Sequence, residues 1–521
     1  MKQALSRTIG LMAIGSALLY TTFVLASFNT NSFALSLFFT ITTILGIIPT
    51  IIHIINNWTH EKPRLEPILR QNRLPSVAIL IPTWKEPLYI LDATIQSIIN
   101  QNYPKSKMLI VVSDDDHNDE VKVLCHFLAN KYRINLIYVN PPVKNSQERR
   151  GEGKAGNLNY AYDLIKNEPA IQYIETRDAD DIVGDENFLR HTIGKLERNN
   201  KLAFVQTIKD AVVSHKDPFS NREKMFYRSL MINKNSSNSS FPCGSGLVWR
   251  KQALADIGGF PTWNLVEDVE SGITALRKGW KGLYLPIVGA IAQVGNEDIP
   301  NMYKQRGVWA MDSIRSLFWG KKKGLNILQK IQFSETGIFY LFSAMMFFQA
   351  FVPGITLITG KSPIIANPFV YFIHLATYLL STYLFIWSIK RDKKIKDFNI
   401  IKGMKTSFGL GPVYLKALID VLSFGKLRKP KYVVTLKTIK NGLYLQYVLP
   451  QLFLVVFLFG AVLFSIYNKT INNAPLDIAS IFWSLFMIEI YFDIVKLSWF
   501  NYKPQLNIST KLQKLNFIEA K

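Results

Sequence analysis

Apolar residues are segregated along this chain. Long uncharged runs lie at both ends, and a mixed, charged segment lies between them. The first run is IGLMAIGSALLYTTFVLAS, residues 9–27, and the second is FALSLFFTITTILGIIPTIIHII, residues 33–55. Four more fall near 336–359, 364–389, 443–467 and 475–500. Each approaches or exceeds the roughly 20 residues that cross a bilayer core, so the pattern predicts six spanning helices. A cleaved signal peptide is the alternative for the first run. That run is too long for an h-region, lacks an A-x-A site and is followed at once by another span.

The middle segment alternates between two periods. VAILIP (77–82), MLIVVS (108–113), INLIYV (134–139), IQYIET (171–176) and LAFVQT (202–207) read as buried strands. Helical patterns such as PLYILDATIQSIIN and NLNYAYDLIKN separate them. This alternation predicts a mainly parallel sheet with helices on both faces. Ligands of such sheets bind beyond the carboxyl ends of the strands. Residues 301–320, with Trp309, Phe318 and Trp319, read as an amphipathic helix at a membrane surface.

Charge orients the spans. Across 521 residues, 61 Lys and Arg face 38 Asp and Glu, a net charge of +23. The turn SFNTNS has no charge, and the loops near 360 and 470 carry one lysine each, Lys361 and Lys469. The other side holds Lys2, Arg7, Arg64, Arg70, Arg73 and KRDKKIK at 390–396. The positive-inside rule then places both termini and the central segment in the cytoplasm, beside anionic lipid. Six spans argue against a nucleic-acid partner for the basic charge. The two cysteines, Cys125 and Cys243, sit in the cytoplasmic segment, where neither a disulfide nor a zinc site is expected. Glu489, Asp493 and Lys496 share a face of the last span. They read as a polar path or, the favoured reading, an ion pair between Asp493 and Lys496. His53 and His374 read as packed or end-of-span residues.

Acids cluster where the sheet should bind its ligand. Asp114 and Asp115 follow the second strand, and Asp178 and Asp180 follow the fourth, in TRDADDIVGD. Residues two apart in an extended segment point the same way, so Asp178 and Asp180 can reach one hard cation, Mg2+ or Mn2+, that holds a diphosphate. The pair alone is a weak signal. GEGKAGNLNYA (151–161) adds Lys154 at a helix amino end, where anions are favoured. FPCGSGLVWRKQAL (241–254) is a small-residue loop that lets backbone approach a ligand, or a tight turn before a helix at 251–257. LVEDVESGITALRKGW (265–280) puts Glu267 and Asp268 at a helix start, as caps or as a general base.

In this order the motifs resemble the membrane-embedded family 2 glycosyltransferases, the group of cellulose and hyaluronan synthases. The resemblance implies an α/β GT-A-type domain, a Rossmann-like mixed sheet, on the cytoplasmic side of an α-helical transmembrane bundle. IPTWKEP resembles the first-strand signature and puts Thr83 and Glu86 near the nucleotide. SDD gives Asp114 and Asp115 the uridine, KAGNLN gives Lys154 the substrate, and DAD gives Asp178 and Asp180 the metal. VED, like the family's TED, makes Asp268 the catalytic base, with Glu267 beside it. QRGVW resembles Q-x-x-R-W: Gln305 and Trp309 match, but Val308 replaces the arginine, and Arg306 is its nearest substitute. With Cys243 and Gly244 these form the acceptor-binding set. YVVTLK resembles the gating loop, with Thr435 and Lys437; a basic juxtamembrane stretch is the other reading.

The implied organisation is two spans and a linker to residue 75, then a transferase domain over 76–300 and interface helices over 301–335. A helix pair over 336–389, an interface helix and gating-like loop over 390–442, a second pair over 443–500 and a cytoplasmic tail follow. The implied activity is inverting transfer of a hexose from a nucleotide sugar, UDP-glucose foremost, to a growing β-linked glycan, using Mg2+ or Mn2+, with export subunits as further partners. The substituted Q-x-x-R-W position keeps a glycolipid synthase adding one sugar as the alternative. A non-catalytic membrane subunit or transporter is a third, opposed by the intact acids.

Overall fold

The computed structural model describes residues 2–58, 63–65, 74–214, 217–220, 223–428, 441–472 and 477–501. Six of its helices are long and apolar enough to cross a membrane. The first two are α1 (Lys2–Ala26) and α2 (Phe33–Asn56). Their uncharged turn is fixed by Asn29, whose side chain accepts from the Asn31 N–H and donates to the Ser362 carbonyl, at 3.0 and 2.8 Å.

The central domain runs β1 (Ser76–Thr83), α3 (Leu88–Ile99), β2 (Met108–Asp114), α4 (Asp119–Tyr132), β3 (Asn135–Val139), α5 (Gly153–Ile165) and β4 (Ile171–Thr176). It continues through β5 (Asp181–Ile182), α6 (Phe188–Arg198), β6 (Leu202–Ala211), the short α7 (Met231–Asn233), β7 (Leu247–Arg250), α8 (Lys251–Ile257), α9 (Asp268–Arg277) and β8 (Lys281–Ala292). The sheet order is β3-β2-β1-β4-β7-β6-β8-β5. β7 and β5 are antiparallel to their neighbours and the other pairings are parallel. Apolar clusters cover both faces, one around Ile79, Ile95 and Phe188 and one around Leu80, Leu158 and Trp249.

All five strands expected from periodicity form. The pattern missed β7, because SGLVWR reads as loop, and β8, whose glycines and Pro286 interrupt the apolar run. The structure explains those glycines. A Cβ on Gly282 would lie 2.3 Å from the Phe204 ring, and one on Gly289 would lie 2.0 Å from the Thr207 hydroxyl. Bulky neighbours across the sheet fill the space a side chain would take.

After the domain, α10 (Ile299–Trp319) packs against α11 (Ile327–Gln349) and α15 (Gly411–Phe424). The third span joins α11 to α12 (Val352–Thr359), α13 (Pro368–Asp392) is the fourth, and α14 (Ile400–Gly409) meets α15 at a 45° bend. α16 (Leu449–Asn472) and α17 (Ile478–Lys496) end the bundle. The third helix starts earlier than its apolar run, at a capping box between Asn326 and Gln329. Its polar first turns are buried against the domain: Glu335 accepts from buried Lys234 at 3.0 Å and from Asn56 of α2 at 3.2 Å. Domain and bundle are thus joined by a desolvated polar network. The expected Asp493–Lys496 pair forms at 3.1 Å, and Lys405 of α14 adds contacts to Glu489 and Asp493 at 2.5 and 3.3 Å.

Candidate active site

One cavity of about 1940 Å3 opens at the carboxyl ends of β1, β4 and β6 and continues into the helical bundle. Thr83, Glu86, Asp115, Lys154, Asp178, Asp180, Cys243, Gly244, Glu267, Asp268, Gln305, Arg306 and Trp309 all line it. Thr435 and Lys437 lie outside the described residues.

β1 ends in a tight polar turn. The Thr83 hydroxyl and the Trp84 N–H both donate to Glu86, at 2.7 and 2.5 Å. Lys144 and Lys85 stand over the Trp84 ring, 4.8 and 5.2 Å from its centroid, so an aromatic face and two cations meet at this end. The two acids after β2 separate. Asp114 does not reach the cavity. It accepts the N–H groups of Asp116 and Asn118 at 2.9 and 2.7 Å and the Tyr138 hydroxyl at 3.1 Å. Asp114, expected at the nucleotide, thus shapes the turn that presents Asp115. Asp115 lines the cavity, held by both Arg149 amino groups at 2.8 and 2.9 Å.

Asp178 and Asp180 also share the cavity, but not through an extended segment. The chain turns there, with the Asp181 N–H donating to the Asp178 carbonyl at 3.0 Å. The positive charge among these acids is protein-borne. Buried Arg177 pairs with Glu175 at 2.5 Å. Lys154 bonds one Asp178 oxygen, and Lys209 bonds the other at 2.8 Å while lying 3.2 Å from Asp181. Burial opposes ionisation of Asp178, but Lys154 and Lys209 overcome it and hold the carboxyl below the usual carboxylate range. Sequence reading missed Lys209: its signal was a charge ending the apolar run LAFVQTI. Among the described residues no three His, Cys, Asp or Glu side chains converge as a ready metal cage. Asp178 and Asp180, two hard oxygen donors facing one cavity, nonetheless suit Mg2+ or Mn2+ bound in part through a substrate.

Lys154 also lies 3.5 Å from Glu267 and donates to the Gly244 carbonyl at 3.1 Å. Gly244 has φ +80, and a Cβ there would sit 2.9 Å from the Lys154 ammonium, so the position favours glycine twice over. Gln206 of β6 sets this loop: its carbonyl oxygen accepts the Cys243 N–H at 2.7 Å, and its amide donates to the Ser245 carbonyl at 2.9 Å. α9 begins at Asp268, and the Glu267 side chain makes no cap. Burial first, and the Glu267 charge second, push the Asp268 carboxyl up to about 7.

α10 completes the site from the side of the helical bundle. Arg306 pairs with Glu223 and lies over the Trp309 ring, while Val308 is buried. Asp312 accepts the N–H groups of Leu265 and Val266 at 3.0 and 3.1 Å, which fixes the approach to Asp268. Arg315 donates to Asn264 at 3.1 Å and to the carbonyls of Gly425 and Arg428 at 3.0 and 2.8 Å.

A mixed sheet whose strand ends gather these acids and lysines defines a GT-A-type glycosyltransferase fold. Residues 75–311 match the family model described as "Glycosyltransferase like family 2". The cellulose synthase catalytic subunit [UDP-forming] of Pseudomonas fluorescens (strain SBW25) is 30% identical over 244 residues, 45% of this chain and 31% of that protein. Cellulose synthase 1 of Komagataeibacter xylinus is 26% identical over 318 residues, 56% of this chain and 18% of that protein. The matches span about a third or less of these relatives' length. A solved mannosyltransferase of Pyrobaculum calidifontis, in complex with GDP-Man and Mn2+, superposes with a TM-score of 0.54 at 17% identity, over 75% of this chain and 98% of that one. It shares the fold. Residues 75–311 are thus similar to family 2 glycosyltransferase domains, among them those of cellulose synthase catalytic subunits.

Proposed function

We propose that this protein is an inverting hexosyltransferase that uses a nucleotide sugar, UDP-glucose foremost, to extend a β-linked glycan at the cell membrane. The catalytic domain faces the cytoplasm in this reading, and export subunits are candidate partners. UDP as the leaving group is supported by the relatives' description as UDP-forming. The observation that carries the glycan reading is the single cavity. It runs from Asp268 past Trp309 to Asn29 and Ser362 at the opposite ends of the spans, through Thr42, Thr50, Tyr371 and Trp483. Hydroxyls and aromatic faces along one path suit a sugar chain.

The chemistry follows from the charges. Thr83, Glu86 and Asp115 would hold the nucleoside end, and Lys154 the diphosphate. Asp178 and Asp180 would hold a divalent cation, which when bound would supply neutralisation of the diphosphate. The bond from C1 to the β-phosphate oxygen breaks, and its electron pair leaves with UDP. The acceptor hydroxyl oxygen bonds C1 from the opposite face, and Asp268 takes its proton. Attack opposite the leaving group inverts the anomeric centre, so an α-linked donor gives a β-linkage.

The replaced arginine at Val308 favours a second reading, a synthase adding one sugar to a membrane lipid. Purified protein supplied with a panel of UDP-sugars and Mg2+ or Mn2+ tests both. UDP release with a β-linked polymer is expected. Products no larger than a glycolipid would leave only the second reading, and no UDP release with any donor would overturn both.

A further inference from the structure

Lys209 stands where a metal would have to act. Asp178 has two carboxylate oxygens, and both are taken by ammonium groups, Lys154 on one and Lys209 on the other. A doubly charged cation at Asp178 would meet two positive charges within a few ångströms, a repulsion that falls on whichever lysine is held less firmly. Lys154 has three anchors: Asp178, the Gly244 carbonyl at 3.1 Å and Glu267 at 3.5 Å. Lys209 has an alternative partner already in place, Asp181 at 3.2 Å, on a long flexible stem. It can leave Asp178 without leaving the acidic cluster.

We propose that the Lys209 ammonium is an internal placeholder for the divalent cation, occupying Asp178 when the metal is absent, so that the metal binds there only by displacing it. This rests on the proposed divalent site and adds that the metal competes with an internal cation for Asp178. A Lys209 that stayed on Asp178 would also repel a cation, so the displacement itself is read from the labelling of Lys209.

The test is Mn2+ binding to the full-length detergent-solubilised protein without nucleotide, read from the free Mn2+ signal by electron paramagnetic resonance. Lys209→Met and Lys209→Gln should bind Mn2+ at least about tenfold more tightly than the wild type, equivalent to about 1.4 kcal/mol. Lys209→Arg should stay near the wild type, and adding Asp178→Asn to Lys209→Met should abolish the gain. Equal or weaker binding by Lys209→Met, or a gain that survives Asp178→Asn, overturns the placeholder role alone. No Mn2+ at Asp178 in any variant, with or without UDP, overturns it together with the metal dependence. Should the neutral variants fail to fold, the wild type decides. Amine labelling of Lys209, mapped by mass spectrometry, should quicken on adding Mn2+, and unchanged or slower labelling overturns the proposal.

Discussion

Arg306 lies across the face of Trp309, its guanidinium carbon 4.8 Å from the ring centroid. The same guanidinium pairs with Glu223, so it is committed on two sides. Arg306 therefore braces the tryptophan. Trp309→Ala should raise the acceptor concentration needed for half-maximal rate by about tenfold, the loss of one aromatic contact of about 1.4 kcal/mol. UDP affinity, measured by calorimetry, should stay within about twofold. Equal losses on both substrates would show that Trp309 serves the donor.

Asp268→Asn removes the proton acceptor while keeping shape and the bond from the Val269 N–H. Turnover should fall by about 10²–10⁴-fold, the usual range for a general base, with UDP binding preserved. A parallel loss of UDP affinity would contradict the base assignment.

The pH profile carries a sign. Burial and Glu267 hold the Asp268 carboxyl up at about 7, and only its ionised form accepts a proton. Activity at low substrate should therefore rise with pH along a limb centred near that value. Glu267→Gln removes the second cause of the upward shift, so the limb should move to lower pH. A limb that stays in place would mean that Glu267 does not act on Asp268.

Asp312 reaches from α10 to hold the backbone just before the base. Asp312→Ala orphans the buried Leu265 N–H and the part-buried Val266 N–H, and an unsatisfied buried donor costs about 1–3 kcal/mol. Both thermal stability and turnover should drop. Asp312→Asn keeps an accepting oxygen and should recover most of the stability in a melting experiment.

Chelation by EDTA should suppress UDP release, and Mg2+ or Mn2+ should restore it. Asp180→Asn should raise the metal concentration required. Full activity in EDTA would leave the protein's own cations, Lys154 and Lys209 foremost, as counter-charges for the diphosphate.

Much of this molecule was legible in consecutive residues. Apolar runs long enough to span a bilayer, strand runs of period two or continuous burial, and acids placed just past strand ends are local patterns. Backbone geometry turns such patterns directly into helices, strands and turns. Strand β8 was hidden because its glycines make sense only with Phe204 and Thr207 beside them, and β7 because the small residues before it read as loop.

The sequence by itself determined which residues could carry charge to the ends of the strands, since chain direction and periodicity place them there. Tertiary structure alone decided how those charges are paired. Asp114 turned into its own loop while Asp115 faced the cavity, Lys209 met Asp178 across 31 positions, and Asp312 met Val266 across 46. Electrostatic and hydrogen-bond partners are chosen by distance in space, and burial strengthens them, so no spacing along the chain announces them.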